Sequence, residues 1–336
     1  MGSAKYKVVV TDSEFPHLER EKKILKEEAD AELVYKECKT EDDIVELARD
    51  ADGILNLYFG PVGRKTFEAA KNLKVVVRYG IGLDTIDIKA ATEYGIAVGH
   101  VPDYCLDEVS DHTLALILNC ARKITLLNNT VKGGKWDFKV SKPVYRIKGK
   151  TLGIVGFGKI GRMVAAKAKA FGLNLLVYDP FISEDIARDY SATMVEKDKL
   201  FSEADFIALH LPLNEATRHF IGEKELKAMK KNTYLINAAR GGVIDTEALY
   251  KALKEGWIAG AAIDLVEGSP EEWDHLFRLE NLTVTPHAAW YSEESITQLQ
   301  ETAAREVARV LNGRWPVNFV NPEVKTVATE KRGGSK

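Results

Sequence analysis

Residues 151–162 read TLGIVGFGKIGR, and this stretch decides which fold the chain can adopt. An apolar strand pattern leads into Gly156, Gly158 and Gly161, which have the spacing G-x-G-x-x-G, and a predicted helix and second predicted strand follow. In such a unit the first glycine permits a tight turn, the second lets the backbone approach a pyrophosphate, and the third allows close helix–strand packing. The phosphates face the N–H groups of the helix N-terminus. The stretch therefore predicts a dinucleotide-binding turn.

An acidic residue, Asp179, ends the second strand of this unit. It lies roughly 20 residues past the last glycine, where a carboxylate can accept hydrogen bonds from the adenosine ribose hydroxyls. A carboxylate there repels the 2′-phosphate of NADP, and residues 180–182 contain no arginine to receive one. The sequence therefore favours NAD over NADP as the cofactor.

Strand and helix patterns alternate on both sides of this unit. One series runs from the strand pattern at 6–10 to that at 97–100, and a second runs from 152–155 to 282–285. Alternation of this kind is typical of parallel sheets covered by helices on both faces. We therefore predict an α/β protein with two doubly wound parallel-sheet domains, of which the second binds the cofactor.

Composition excludes several classes of protein. The 336 residues carry 47 basic and 50 acidic side chains, a balance that predicts no direct binding to nucleic acid. No apolar stretch approaches the ~18 residues that span a bilayer, so no membrane association is predicted. Cys38, Cys105 and Cys120 are too few and too scattered for a disulfide framework or a metal cluster. With no apolar signal segment at the N-terminus, these features predict a cytoplasmic protein without a metal.

Residues 234–242 read YLINAARGG, an apolar strand pattern that ends in small residues and presents Arg240 before two glycines. In open α/β sheets ligands bind outside the carboxyl ends of the strands, which is where Arg240 falls. Its planar guanidinium suits a carboxylate or an α-keto acid. A surface ion pair is the commoner fate of an arginine, but the place at a strand end favours a functional role.

Residues 282–290 read LTVTPHAAW, another strand end that carries His287. Histidine has an ordinary pKa near neutrality, which makes it a natural proton donor to a carbonyl that is being reduced. His287 shares the carboxyl edge of one predicted sheet with Gly156, Arg240 and Asp264. Single histidines are more often structural, and we assign that role to the other six: His17, His100, His112, His210, His219 and His275.

Taken together, these stretches resemble the D-2-hydroxyacid dehydrogenase family, and most of all its C-terminal binding protein branch. The resemblance covers residues 5–320. The motifs that carry it are RYGIGLD at 78–84, VP at 101–102, the glycine motif, YDP at 178–180, NAARGG at 237–242 and TPHAAWYSE at 285–293.

The resemblance implies how the domains divide. A flavodoxin-like substrate domain is formed by residues 1–100 and 288–322, and a Rossmann NAD-binding domain by 101–287, with the active-site cleft between them. A homodimer through the NAD-binding domains is also implied. Residues 323–336 are polar and are predicted to form a disordered tail.

The resemblance also implies roles for individual residues. Arg240 holds the substrate carboxylate and keto oxygen, and His287 is the acid/base. The expected substrate contacts are the backbone N–H groups of Ile81 and Gly82 and the side chains of Arg78 and Trp290. Around the cofactor, the implied contacts are Lys159 and Ile160 at the pyrophosphate, Asp179 at the ribose, Leu211, Pro212 and Thr217 along the nucleotide, and Ala238, Ala239 and Asp264 at the nicotinamide end.

One position departs from the family pattern Asp-Val-Phe-x-x-Glu-Pro. Residues 264–270 read DLVEGSP, so Ser269 occupies the position of the family's catalytic glutamate. That glutamate normally orients the histidine and raises its pKa. Glu267 lies two residues earlier and in an extended segment would point to the same side as Ser269, which makes it a candidate substitute.

Two functions follow. The first is an NAD-dependent oxidoreductase that interconverts a 2-keto acid and a D-2-hydroxy acid. The alternative is a dinucleotide-sensing interaction protein of the corepressor kind, or a weakly active homologue. The absence of a long regulatory extension favours the enzyme, and Ser269 favours the alternative.

Overall fold

The structure is a computed structural model that describes residues 4–327. These residues form two compact units, one that runs to Tyr104 and resumes at Ser292, and one that spans Cys105–Tyr291. The sequence predicts domain boundaries between residues 100 and 101 and between residues 287 and 288. Residues 101–104 therefore group with the first unit, and residues 288–291 group with the second.

In the described residues the first unit contains a five-stranded parallel sheet. Its strands are β1 (Tyr6–Val10), β2 (Ala31–Tyr35), β3 (Gly53–Asn56), β4 (Val75–Arg78) and β5 (Ala97–Gly99). Their order is β2-β1-β3-β4-β5, which is the flavodoxin-like order. Every residue of β3 and β4 is buried, as expected of parallel strands that are covered on both faces.

Over the same range, the second unit contains a seven-stranded parallel sheet. Its strands are β6 (Thr151–Val155), β7 (Asn174–Tyr178), β8 (Ala192–Met194), β9 (Phe206–Leu209), β10 (Tyr234–Asn237), β11 (Gly260–Ile263) and β12 (Leu282–Val284). Their order is β12-β11-β10-β9-β6-β7-β8. This is the Rossmann order with one further strand, and it reverses between β6 and β9. The predicted fold class is confirmed.

Helices cover both sheets. They are α1 (Glu19–Ala29), α2 (Glu41–Ala48), α3 (Arg64–Ala69), α4 (Ile88–Tyr94), α5 (Leu106–Arg122), α6 (Ile124–Lys132), α7 (Lys159–Lys169), α8 (Glu184–Asp189), α9 (Lys197–Glu203), α10 (Glu223–Ala228), α11 (Thr246–Glu255), α12 (Asp274–Phe277) and α13 (Glu293–Leu311). Short 3₁₀ turns occupy Phe138–Ser141, Gly241–Val243 and Pro270–Trp273. Within residues 4–327, no helix combines the length and the apolar character that crossing a membrane requires.

Helix α13 belongs to the first unit, and its start is capped. The Ser292 side chain accepts a hydrogen bond from the Ser295 N–H (2.8 Å), which satisfies a donor that the helix cannot. Gln300 of this helix donates through Nε2 to Glu21 of α1 (3.0 Å). Burial raises the pKa of that Glu21 carboxyl. The final helix is thereby fixed to the N-terminal part of the unit.

The segment after α13 differs from the predicted tail. Asn321 accepts from the Val98 N–H (2.8 Å) and donates to the Ile96 carbonyl (3.0 Å), which ties this segment to β5. Val324 is fully buried, and Lys325 lies over the Trp315 ring (5.8 Å). Residues 323–327 are therefore packed rather than disordered, because the segment contains an apolar side chain to bury. The rest of the predicted tail, 328–336, lies outside the described residues.

Candidate active site

The glycine turn after β6 has the geometry that a bound pyrophosphate needs. Gly156 has φ +90°, and a Cβ there would lie 2.6 Å from the His210 carbonyl oxygen. A Cβ at Gly161 would lie 2.3 Å from the Gly156 oxygen, so α7 can pack on the turn only with glycine there. A Cβ at Gly158 would meet no atom within 4 Å, which leaves open space at the start of α7. Phosphate oxygens fit that space.

Two predicted pyrophosphate contacts, Lys159 and Ile160, are the first residues of α7. Their backbone N–H groups belong to the first turn, where the helix offers no internal acceptor. No acidic residue occupies that turn, so nothing in it repels an anion. This part of the unit fits a dinucleotide.

Asp179 follows β7 and lies beside the glycine turn. Its Oδ2 accepts from the Phe157 N–H (2.7 Å), and its Oδ1 accepts from the Phe181 N–H (2.9 Å). These bonds fix the carboxylate and leave further lone pairs for ribose hydroxyls. The carboxylate therefore lies beside the glycine turn with acceptor capacity left over, and its contact with the ribose stays a prediction.

The predicted nucleotide contacts Leu211, Pro212 and Thr217 lie in the loop that follows β9. Thr217 closes this loop, since its Oγ1 donates to the Pro212 carbonyl (2.6 Å) and accepts from the Asn214 N–H (2.9 Å). The loop starts beside the point where the strand order reverses, the usual place for a ligand in this type of sheet.

Arg240 lies in a loop whose shape is set by Asn237 at the end of β10. The buried Asn237 donates through Nδ2 to the Arg240 carbonyl (2.9 Å) and accepts from the Ala239 N–H (3.0 Å). Arg240 is half-buried and donates through Nη1 to the Ala239 carbonyl (2.8 Å). Ala238 is buried beside it. The guanidinium is thus carried by a loop with internal support.

His287 lies in a turn that is organised by Asp264. Asp264 is only 1% exposed, and its carboxylate accepts from the N–H groups of Ala288 (2.9 Å) and Ala289 (3.0 Å) and from the Thr285 hydroxyl. The His287 N–H donates to the Asp264 carbonyl (2.8 Å). His287 itself has φ +53°, a left-handed conformation that few non-glycine residues adopt. Asp264 therefore holds the predicted catalytic histidine in an unusual conformation.

Sequence reasoning missed one residue of this arrangement. His112 of α5, which we assigned a structural role, places Nε2 3.0 Å from the Thr285 hydroxyl and 3.7 Å from the Asp264 carboxylate. It supports the hydroxyl that donates to Asp264. Its position far away in the sequence gave no signal of this contact.

The Ser269 segment has its own partners. The Ser269 hydroxyl donates to the Glu271 carboxylate. The Glu267 carboxylate bonds to Arg218 Nη1 and His219 Nε2. Glu267, the predicted substitute for the missing glutamate, is therefore bound to side chains of the loop after β9.

The remaining predicted substrate contacts divide between the units. Arg78 ends β4, is 7% exposed, and lies 5.3 Å from the centre of the Tyr58 ring. Ile81 is half-buried, and its carbonyl meets His100 Nδ1 at 3.0 Å. Gly82, also half-buried, follows in the same loop of the first unit.

Trp290, by contrast, belongs to the second unit, like Arg240 and His287. It is half-buried, and its ring centre lies 5.9 Å from that of Tyr291 in an edge-to-face arrangement. The second unit therefore brings together the turns that carry the predicted cofactor contacts, the arginine and the histidine.

Comparison with known proteins agrees with this geometry. The sequence profile of the D-isomer specific 2-hydroxyacid dehydrogenase, NAD binding domain, matches residues 114–289. A glyoxylate reductase of Korarchaeum cryptofilum is 41% identical over 288 residues, which cover 84% of this chain and 87% of that protein. The predicted family and the predicted cofactor, NAD, are confirmed.

Solved structures show the same likeness. A glyoxylate reductase from Paecilomyes thermophila superposes with a TM-score of 0.85 at 28% identity, over 95% of this chain and 98% of that one. A D-lactate dehydrogenase from Aquifex aeolicus, solved with NAD and lactic acid, superposes with a TM-score of 0.81 at 26% identity, over 91% and 96% of the two chains. The closer resemblance to C-terminal binding proteins stays a prediction.

His210, a half-buried residue beside the glycine turn, makes stability depend on pH. Burial lowers the pKa of His210 to about 4, and its buried Nε2 has no hydrogen-bond partner among residues 4–327. The unfolded chain takes up this proton near pH 6.5 and the folded chain does so only near 4, so stability falls as the pH falls between these values. The free energy of unfolding of His210→Leu should therefore fall by about 3 kcal/mol less than that of the parent between pH 6.5 and pH 4.

Urea unfolding of both proteins at several pH values between 7 and 4 measures this difference. The comparison with the parent cancels the contributions of all other titrating groups. Stability curves that run parallel would show that His210 is protonated normally in the folded protein.

Proposed function

The chain belongs to the D-isomer specific 2-hydroxyacid dehydrogenase family and is an NAD-dependent oxidoreductase, and on that premise we propose that Arg240 and His287 interconvert a 2-keto acid and a D-2-hydroxy acid. The observation that carries this proposal is the His287 turn. A buried carboxylate, three donated hydrogen bonds and a left-handed residue would be needless for a surface histidine. Strain of this kind is typical of functional sites.

The proposed chemistry divides between cofactor and protein. When bound, the nicotinamide cofactor supplies the hydride that is added to C2 of the keto acid, or takes it up in the reverse direction. His287 donates a proton to the carbonyl oxygen during reduction and accepts it from the hydroxyl during oxidation. Arg240 binds the carboxylate and the keto oxygen, and its positive charge stabilises the negative charge that develops on that oxygen.

The substrate class is a small 2-keto acid, and glyoxylate is the first compound to test, because the relatives named above include glyoxylate reductases. Two further 2-keto acids, pyruvate and hydroxypyruvate, extend the panel. NADH oxidation followed at 340 nm on this panel separates the enzyme from a dinucleotide-sensing interaction protein, which would bind NADH without turnover. The contacts predicted for Arg78, Ile81, Gly82 and Trp290 belong to the same proposal.

Arg240→Lys tests the proposed substrate contact. Lysine keeps the charge but cannot make the paired contacts of a planar guanidinium, so kcat/KM should fall at least tenfold, about 1.4 kcal/mol. The dissociation constant of NADH, measured by fluorescence, should stay unchanged. Arg278→Lys, in an exposed ion pair with Asp274 on α12, is the matched control. Turnover near the parental rate in Arg240→Lys would refute the role of Arg240.

Ser269→Glu tests the departure from the family pattern. A carboxylate close to His287 would favour the protonated histidine and raise its pKa. Reduction needs protonated His287, so the pH at which kcat/KM for reduction declines should move upward in the variant. In the control variant Ser269→Gln the new side chain has the size of glutamate but no charge, so the pH profile should stay where it is in the parent. If the glutamate and glutamine variants give the same profile, position 269 does not face His287.

We also propose a homodimer formed through the NAD-binding unit. Between α6 and β6 three aromatic side chains are strongly exposed, namely Trp136 (91%), Phe138 (68%) and Tyr145 (59%). Several large apolar side chains exposed within one short segment favour an interaction surface. A second copy of the chain is the partner that the family resemblance implies. The cytoplasmic location stays a prediction.

Trp136→Asp tests the dimer, since a carboxylate buried in an interface is strongly unfavourable. Light scattering should give twice the 37.4 kDa chain mass for the parent and a single chain for the variant. Phe181→Asp replaces an equally exposed aromatic residue outside this segment and should leave the mass unchanged. A parent that runs as a single chain would contradict the proposal.

A further inference from the structure

We propose that Glu267 is a positioning residue for Arg240 and does not replace the glutamate missing at position 269. Its carboxylate fastens the loop that follows β11 to the loop that follows β9, and these two loops enclose the residues after Arg240. This inference rests on the proposed substrate-binding role of Arg240. It assigns a function to a carboxylate that the family pattern leaves without one.

The first observation is the set of partners of this carboxylate. Oε1 accepts from Arg218 Nη1, and Oε2 lies 2.5 Å from His219 Nε2. The Glu267 side chain is 29% exposed, whereas Arg218 is 55% and His219 is 45% exposed. The carboxylate is therefore the partly sheltered member of this group. Each oxygen is directed at the loop after β9. Both oxygens are therefore used in a contact that fixes one loop to another.

The second observation is the position of the Arg240 loop between these groups. A Cβ at Gly241 would lie 2.2 Å from the carbonyl carbon of Val266, so the two backbones touch. A Cβ at Gly242 would lie 3.2 Å from Glu267 Oε1. On the other side, the Gly242 carbonyl accepts from the His219 N–H (2.8 Å). The two residues after Arg240 are thus enclosed by Glu267 and His219.

The backbone of Glu267 is itself fixed. Its carbonyl accepts from Trp273 Nε1 (2.6 Å), which anchors the segment to the 3₁₀ turn Pro270–Trp273. His219 has φ +51°, a left-handed conformation that the surrounding contacts must maintain. Glu267 therefore connects two constrained segments, namely the 3₁₀ turn Pro270–Trp273 and the loop after β9 that contains His219.

This connection determines where the Arg240 guanidinium lies. Substrate-binding groups lose much of their effect when they are displaced by about 1 Å, because the paired hydrogen bonds depend on geometry. Removal of the Glu267 charge weakens its bonds to Arg218 and His219 and loosens the enclosure of the Gly241–Gly242 backbone. The expected result is weaker binding of the substrate carboxylate, with proton transfer at His287 left intact.

The test is Glu267→Gln, with Glu272→Gln as the matched control in an exposed carboxylate of the same segment. We expect the KM for glyoxylate to rise about tenfold in Glu267→Gln. The value of kcat should fall by a smaller factor, because Arg240 also stabilises the charge on the keto oxygen, and the pH profile of kcat should stay in place. Calorimetric titration of oxalate into the enzyme with NADH should show about tenfold weaker binding, which is a readout without turnover. Circular dichroism melting verifies that the variant is folded.

Two outcomes overturn the inference. A fall in kcat with a shift of the reductive limb to lower pH, at unchanged KM, would show that Glu267 acts on His287. Unchanged KM, kcat and oxalate affinity would show that the contact does not position Arg240. His219→Gln provides a second route, because it should raise KM in the same way and the double variant should add little to either single change.

Arg240→Lys, measured in the same series, separates this inference from the proposed function. If Arg240→Lys keeps parental turnover and parental oxalate binding, the substrate role of Arg240 fails, whatever Glu267→Gln does. If Arg240→Lys loses activity and Glu267→Gln behaves like the parent, only the positioning role of Glu267 fails.

Discussion

The structure of the candidate site depends on one buried carboxylate. Asp264 is almost completely removed from solvent, and a buried charge is tolerated only when donors satisfy it. The Thr285 hydroxyl and two consecutive backbone N–H groups fulfil this requirement, and in doing so they force the chain to turn sharply at His287. The need to solvate Asp264 thus sets the conformation of the proposed acid/base residue.

The parallel sheet brings the other groups to the same edge. Chain connections in a parallel sheet run from the carboxyl end of one strand into a helix, so the loops after β6, β7, β9, β10, β11 and β12 gather on one side. The glycine turn, Asp179, Arg240, Asp264 and His287 each follow one of these strands. Local polar contacts then fix each loop separately, as Asn237 does for Arg240.

Much of this could be predicted because it is encoded locally. The spacing of Gly156, Gly158 and Gly161 reports a backbone constraint within a few residues, and the structure shows a steric reason for glycine at the first and third positions. Strand β8, with three residues at a sheet edge, is too short for a strand pattern to reveal. Helices α5 and α6 are separated at Lys123, whose φ of +54° no hydrophobic pattern reveals.

Contacts between distant segments account for what sequence reasoning could not supply. Spacing along the chain suggested that Glu267 stands behind His287, because alternate residues of an extended segment share a face. The segment is not extended there: Gly268 has φ +78°, and a 3₁₀ turn begins at Pro270. The chain therefore changes direction between Glu267 and Ser269, and the two side chains meet different partners. Glu267 and Ser269 lie close in sequence but have different partners, and this is why we propose that Glu267 positions Arg240 and does not replace the missing glutamate.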